Sequence, residues 1–218
     1  MLNKILIRIL STLCFISVLV GQELFFSEYI EGSSYNKALE IHNPSDTDVD
    51  LTNYRIAYTS NGSGWLYWHT WSAGTILASG DVWVMVANQI NSDYFDEANA
   101  DEVLAYPSFV AAMNGDEAIG LEKTTDSGIT WSLIDIIGIP NNDPGDGWDV
   151  AGITSATQNH TLVRKESIIS GNTDWATSAG TNQTDSEWIV YDQNIFTHLG
   201  SHSTLYSGPT DVSGVISS

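Results

Sequence analysis

The feature that most constrains this chain is its punctuation. Short apolar or alternating runs recur along its length, and Gly, Asn, Asp and Ser interrupt each of them before a helix could complete three turns. Leu24–Ile30, Lys37–Asn43, Val49–Tyr58, Trp65–Trp71, Asp81–Ala87, Glu117–Lys123, Ile129–Ile137, His160–Arg164 and Trp188–Tyr191 read as about nine strands, with a turn or bulge near Thr52 and Asn53. Strands at this spacing, separated by turn residues, predict an all-β sandwich or barrel. Only Ser92–Ala105 carries a helical signature. Ser92 or Asp93 would cap it, acids fill its first turns, and it stops before Pro107. There is no internal repeat.

The first residues read as an export signal. Lys4 and Arg8 precede Ile9–Val20, an uncharged apolar run, and Gly21 is a small residue suited to cleavage before Gln22. The run is shorter than the roughly 20 residues that span a bilayer. Three parts follow: residues 1–21 as signal peptide, 22–202 as one β domain, and 203–218 as a linker or tail rich in Ser, Gly and Pro. Such a tail suits a module of a larger surface protein. The expected destination is extracellular or the cell surface, with the periplasm as the other exported location. Cys14, the single cysteine, lies inside the leader and follows Leu13 rather than the small residue that lipidation requires. The exported chain would therefore contain no thiol, and its stability would rest on core packing.

Removing Lys4 and Arg8 takes the formal net charge from −20 to −22. A chain of that sign repels polyanions, so DNA is not an expected partner unless cations bridge the two. Eight Trp and 42% hydrophobic residues separate it from disordered acidic polymers.

Five blocks carry a resemblance to a known family. They are Phe26–Asn43 (FSEYIEGSSYNKALEIHN), Gly80–Asn88 (GDVWVMVAN), Asn114–Lys123 (NGDEAIGLEK), Pro144–Lys165 with Trp148, Val150–Gly152, His160–Leu162 and Arg164–Lys165 in place, and Glu187–His202. In this order they resemble bacterial lamin-tail domains over nearly all of Glu23 to His202. The resemblance implies an immunoglobulin-like β-sandwich. It also implies a secreted or surface protein that binds or tethers without catalysis.

Two segments stand out as candidate sites. Strand alternation puts Trp65, Tyr67, His69 and Trp71 on one face and Leu66, Trp68 and Thr70 on the other. Two aromatic faces cannot both be core in a two-layer sandwich unless a loop covers one. Trp65, Tyr67, Trp68 and Trp71 are therefore the candidate ligand platform, suited to the flat faces of an extracellular polysaccharide or to a surface protein. Asn141–Asp149 (NNDPGDGWD) places Asp143, Asp146 and Asp149 at every third position among glycines. No cofactor is demanded by the pattern, but Ca2+ is the ion such oxygen donors would take. The spacing does not match an EF-hand, and Asp-Gly-Pro clusters are also the ordinary signature of turns.

Glu28, Glu31, Asn36, Lys37 and Glu40 surround one tight turn at Gly32–Ser34. Local bonding is the expected role, with Lys37 pairing a carboxylate. Glu28, Glu31 and Glu40 are weaker cation candidates. Glu40 lies between Leu39 and Ile41 and should point away from the core that they fill. The five histidines are scattered, and His198 with His202 lacks the convergent ligands of a zinc site. Arg164 is expected to pair with an acid of the sheet. There is no G-x-S-x-G elbow, H-E-x-x-H or P-loop. The alternative to a binding module is a metal-dependent secreted hydrolase or nuclease using these acids.

Overall fold

The computed structural model describes residues 22–204. The expected leader, residues 1–21, and all but the first two residues of the expected 203–218 tail lie outside them. The strands are β1 (Phe25–Glu31), β2 (Lys37–His42), β3 (Val49–Asp50), β4 (Tyr54–Tyr58), β5 (Tyr67–Thr70), β6 (Ile76–Leu77), β7 (Val82–Ala87), β8 (Glu102–Leu104), β9 (Ile119–Lys123), β10 (Ser132–Ile137), β11 (Thr161–Arg164) and β12 (Trp188–Tyr191). They form a six-stranded sheet in the order β12-β11-β1-β2-β7-β8, a four-stranded sheet in the order β10-β9-β4-β5, and the small β3-β6 ribbon. Every pairing is antiparallel except β7 with β8.

The two larger sheets face each other across one core. Phe26, Tyr29, Leu39, Ile41, Met85 and Leu162 come from the first sheet, and Tyr54, Ile56, Ile119, Leu121 and Ile136 from the second. The alternation anticipated in β2 and β4 is what sends these side chains inward. A register shift in β1 between Phe26 and Glu28 leaves Ser27 as the extra residue. The bulge lets Phe26 and Tyr29 share the core face although they are three residues apart.

An ion pair is buried with the core. Arg164 of β11 is fully buried, and its Nη2 donates to Asp135 Oδ2 of β10 at 2.5 Å. The same oxygen accepts the Phe26 amide at 2.8 Å. The guanidinium lies 4.1 Å from the Trp188 ring centroid and also donates to Glu187. Asp135 thus meets partners from β1 and β11 and links the two sheets.

The outer face of the central strands β1, β2 and β7 is also buried. Ile30, Ala38, Val82, Val84 and Val86 form a second apolar cluster with Ile90 and Phe196, flanked by Phe95, Ala100 and Leu199. Here the helix expected over Ser92–Ala105 is overturned. The segment holds a short 3-10 turn at Glu97–Asn99 and then strand β8. Asp96 caps that turn by accepting the Ala98 amide, and Asp101 accepts the Val84 amide. Short acidic side chains that bond nearby amides compete with helix. Phe95 and Ala100 turn inward to cover the sheet, and Val103 and Leu104 satisfy the free edge of β7. In place of the single helix expected there, two short helices lie elsewhere, α1 at Phe109–Ala112 and α2 at Trp175–Ala179.

Glu40 does point away from Leu39 and Ile41, but into this covered layer. It is 1% exposed and accepts from Ser27 Oγ and the Gly200 amide, both at 2.6 Å. Its cross-strand neighbour Glu28 is equally buried, with Oε1 unpartnered. Burial, reinforced by Glu40, pushes the Glu28 carboxyl up to about 9. Burial pushes Glu40 to about 7 against the two hydrogen bonds it accepts. Beside them His42, His202 and Phe25 pack edge to face. Burial holds His202 down at about 4, helped by His42 and Arg164.

Candidate functional site

The four-stranded sheet has one covered face and one open face, and the aromatic segment lies at its edge. β5 pairs only with β4, in the register Arg55↔Thr70, Ile56↔His69, Ala57↔Trp68 and Tyr58↔Tyr67. Tyr67 and His69 therefore share the side of Tyr58 and Ile56, whereas Trp68 shares the outer side of Arg55 and Ala57.

The structure divides the four expected platform residues among three places. Trp71 is buried in the core, its ring 5.1 Å from His69 in an edge-on contact. Tyr67 is half-exposed and stacks on Tyr58 at 5.1 Å. Trp68 is half-exposed on the outer face. Trp65 precedes the strand and escapes its alternation. Its ring lies across Gly120, on the side opposite to Ile119 and Leu121, and a Cβ at Gly120 would come within 2.9 Å of it. Strict period-2 reading had grouped Trp65 with Tyr67 and Trp71. The chain becomes a strand only at Tyr67, so that grouping does not hold.

On the outer face, sequence reasoning missed Trp131. The Arg55 guanidinium stands 4.3 Å from the Trp131 ring centroid and 5.2 Å from that of Trp68. Its Nε donates to Glu122 Oε2 at 2.5 Å. Trp131 Nε1 donates to the Gly128 carbonyl, which fixes the ring where the β9–β10 turn closes. Arg55, flanked by two indoles and paired with Glu122, is neutralised locally and held in place. The result is a surface on which a half-exposed Trp68 and the partly buried Trp65 and Trp131 surround one guanidinium. The signal that could have found Trp131 was Arg55 itself: in a chain with so few basic residues, each one merits tracing to a partner.

The other side of β5 borders a cleft of about 300 Å³. Tyr58, Tyr67, Tyr106 and Phe109 line it, with Pro107, Met113 and Glu117. Phe109 lies 5.2 Å from Tyr58, and Tyr106 stands two-thirds exposed at the rim. Burial pushes the Glu117 carboxyl up to about 7, opposed by the Asn114 amide that it accepts at 2.9 Å and reinforced by Asp116.

The acidic loop has a different character. Asp143 accepts the amide of Gly145, two residues on, as in an ordinary turn, and Asp149 accepts the Ser155 amide, each at 2.9 Å. Trp148 is buried against Gly138. Among the described residues, no group of three or more His, Cys, Asp or Glu side chains is arranged to hold a metal ion, so Asp143, Asp146 and Asp149 are not brought together as ligands. Glu31 pairs with Lys37 and accepts the Asn159 amide, and Asn36 accepts the Asn91 amide. Glu31, Asn36 and Lys37 are thus engaged with one another or with backbone, whereas Glu28 keeps an unpartnered Oε1. His160 bonds the Gln158 carbonyl within its loop.

The family model of the lamin tail domain matches residues 20–138, more than half of the chain. The chain belongs to the lamin tail domain family. No curated protein matches it. The lamin-tail match takes in the first three of the five blocks. The other two lie beyond it and build β11 and β12, which extend the same sheet on the far side of β1. The immunoglobulin-like arrangement of facing sheets agrees with the family.

Proposed function

We propose that this lamin-tail domain is a secreted, non-catalytic binding module that holds an extracellular polymer at or near the cell surface. The observation that carries the reading is the open face of the four-stranded sheet, where Trp68 stands half-exposed beside Trp65 and Trp131 around Arg55. A half-exposed indole set among two partly buried ones on a rigid sheet favours flat, weakly charged surfaces such as sugar rings. A formal net charge of −20 disfavours polyanions such as DNA. Uncharged polysaccharide is the polymer that fits both facts. Local turn bonding of the loop acids supports a reading in which no calcium is needed.

The test is retention on insoluble polysaccharides. Trp68→Ala and Trp131→Ala should each weaken retention roughly five- to tenfold, the value of one aromatic contact. Retention on every polymer that is unchanged in the double variant would overturn the platform. Metal-dependent cleavage of the polymer, lost on mutating one acid, would establish the hydrolase reading instead.

A further inference from the structure

The geometry points to a second ligand site in the tyrosine cleft behind β5, one that takes a small quaternary ammonium solute of the choline type. It does not rest on the indole face: the cleft lies on the other side of the strand and shares no residue with it.

Four rings, Tyr58, Tyr67, Tyr106 and Phe109, bound a space of about 300 Å³. That is the small end of the range for ligand pockets, large enough for a compact head group and too small for a polymer segment. Glu117 is the only charged residue among those lining it. The chemistry on offer is thus aromatic faces, which attract cations through their quadrupoles, plus one carboxyl. A quaternary ammonium suits this set better than a primary amine, because its methyl groups meet the rings and Met113 without requiring hydrogen-bond acceptors. The acidic surroundings agree. Lys37, whose Nζ donates to the Met113 carbonyl, is already paired with Glu31. A sugar would instead need fixed donors and acceptors. Thr59, one hydroxyl residue in the lining, is 3% exposed, and its Oγ1 accepts the Ala118 amide.

Glu117 supplies a signature beyond affinity. Its carboxyl sits beside Asp116, near the buried Tyr29 hydroxyl, with Asp143 acting on Asp116. Ionisation around pH 7 means that the site gains its charge as pH rises. A bound cation favours the carboxylate, so binding expels a proton. Affinity should rise by up to about tenfold from pH 6 to pH 8, and Glu117→Gln should flatten that rise.

Calorimetric titration of the whole chain with choline and with 3,3-dimethyl-1-butanol, its uncharged isostere, tests the proposal. Choline should bind at least about tenfold tighter than the isostere. Tyr67→Ala and Tyr106→Ala, both at exposed positions, should abolish binding. Tyr67→Phe should retain it, and Trp68→Ala should leave it untouched. Equal binding of the two solutes would overturn the proposal. So would no choline binding by protein whose circular dichroism is native, or choline binding that survives Tyr67→Ala. Capture by phosphatidylcholine vesicles without binding of free choline would overturn the small-solute assignment in favour of a lipid surface. If the indole variants lose polysaccharide while choline binding persists, the two sites stand or fall separately.

Discussion

The two sheets treat their outward faces in opposite ways. The central strands of the six-stranded sheet, β1, β2 and β7, are covered on both sides: the core lies on one, and Ile90, Phe95, Phe196 and Leu199 lie on the other. That sheet's outward face holds ionisable groups whose charged forms are disfavoured by burial, with Glu28 and Glu40 pushed up and His42 and His202 pushed down. The four-stranded sheet leaves part of its outward face to water, with Trp68 half-exposed, and places there an arginine braced by Trp68, Trp131 and Glu122. Both faces carry large aromatic or apolar side chains. Only cover distinguishes a second core layer from a surface prepared for a ligand.

The comparison breaks first at the link between the sheets. Asp135→Ala leaves the fully buried Arg164 without its partner on β10 and frees the Phe26 amide. The expected loss is about 3–5 kcal/mol, read as a fall in the urea midpoint. An unchanged midpoint would mean that the two sheets do not depend on this pair.

The covered face should reveal itself through pH. Glu28 is neutral in the folded chain well above the ordinary carboxylate range, whereas the unfolded chain ionises near 4.5. Its favourable contribution is therefore present below pH 4.5 and is lost as pH rises towards 9. Glu28→Gln should raise the melting temperature at pH 8 by a stabilisation of roughly 1–3 kcal/mol, and the gain should shrink at pH 5. His202 acts in the opposite sense. Its contribution is present above pH 6.5 and is lost as pH falls through about 4.

The open face should behave differently. Trp68→Ala should change the melting temperature little, by no more than about 0.5 kcal/mol, since half of the ring is already in water. A large loss would show that the ring is structural. The smallest expected effect is that of calcium. Replacing it with EDTA should shift thermal unfolding by less than about 1 °C, because only an ion bound to the native state stabilises it. A clear fall in EDTA would reinstate the Asp143–Asp149 loop as a site.

Much of this was legible in the sequence. Alternation placed Leu39 and Ile41 opposite to Glu40, and Trp188–Tyr191 forms a strand with those bounds. Lys37 and Arg164 pair with acids as their scarcity in an acidic chain led one to expect. What alternation could not show was cover. A period of two says that Glu40 and Trp68 each leave the core, but not that Phe196 and Gly200 lie over one of them and water over the other. The helix expected at Ser92–Ala105 failed for a related reason. Asp96 bonds the Ala98 amide two residues on, Asp101 bonds the Val84 amide of β7, and the open edge of β7 recruits the segment as a strand. Trp65 was misplaced because it stands two residues ahead of the strand whose rhythm was applied to it.

The position of β1 has a consequence for the order in which the molecule can be completed. β1 is made first among the strands, yet it lies between β2 and β11, and its pairing with β11 joins Glu28 to Val163 and Ile30 to Thr161. Loop closure over such separations is slow, so early intermediates should carry an unpaired β1 edge while the last quarter of the chain is still being added. Until β11 arrives, Asp135 has no guanidinium to neutralise it and the sheets have no charged link. A ribosome stalled before residue 161 would therefore hold a domain with an open seam, most exposed to proteases and to strand exchange with a neighbouring copy.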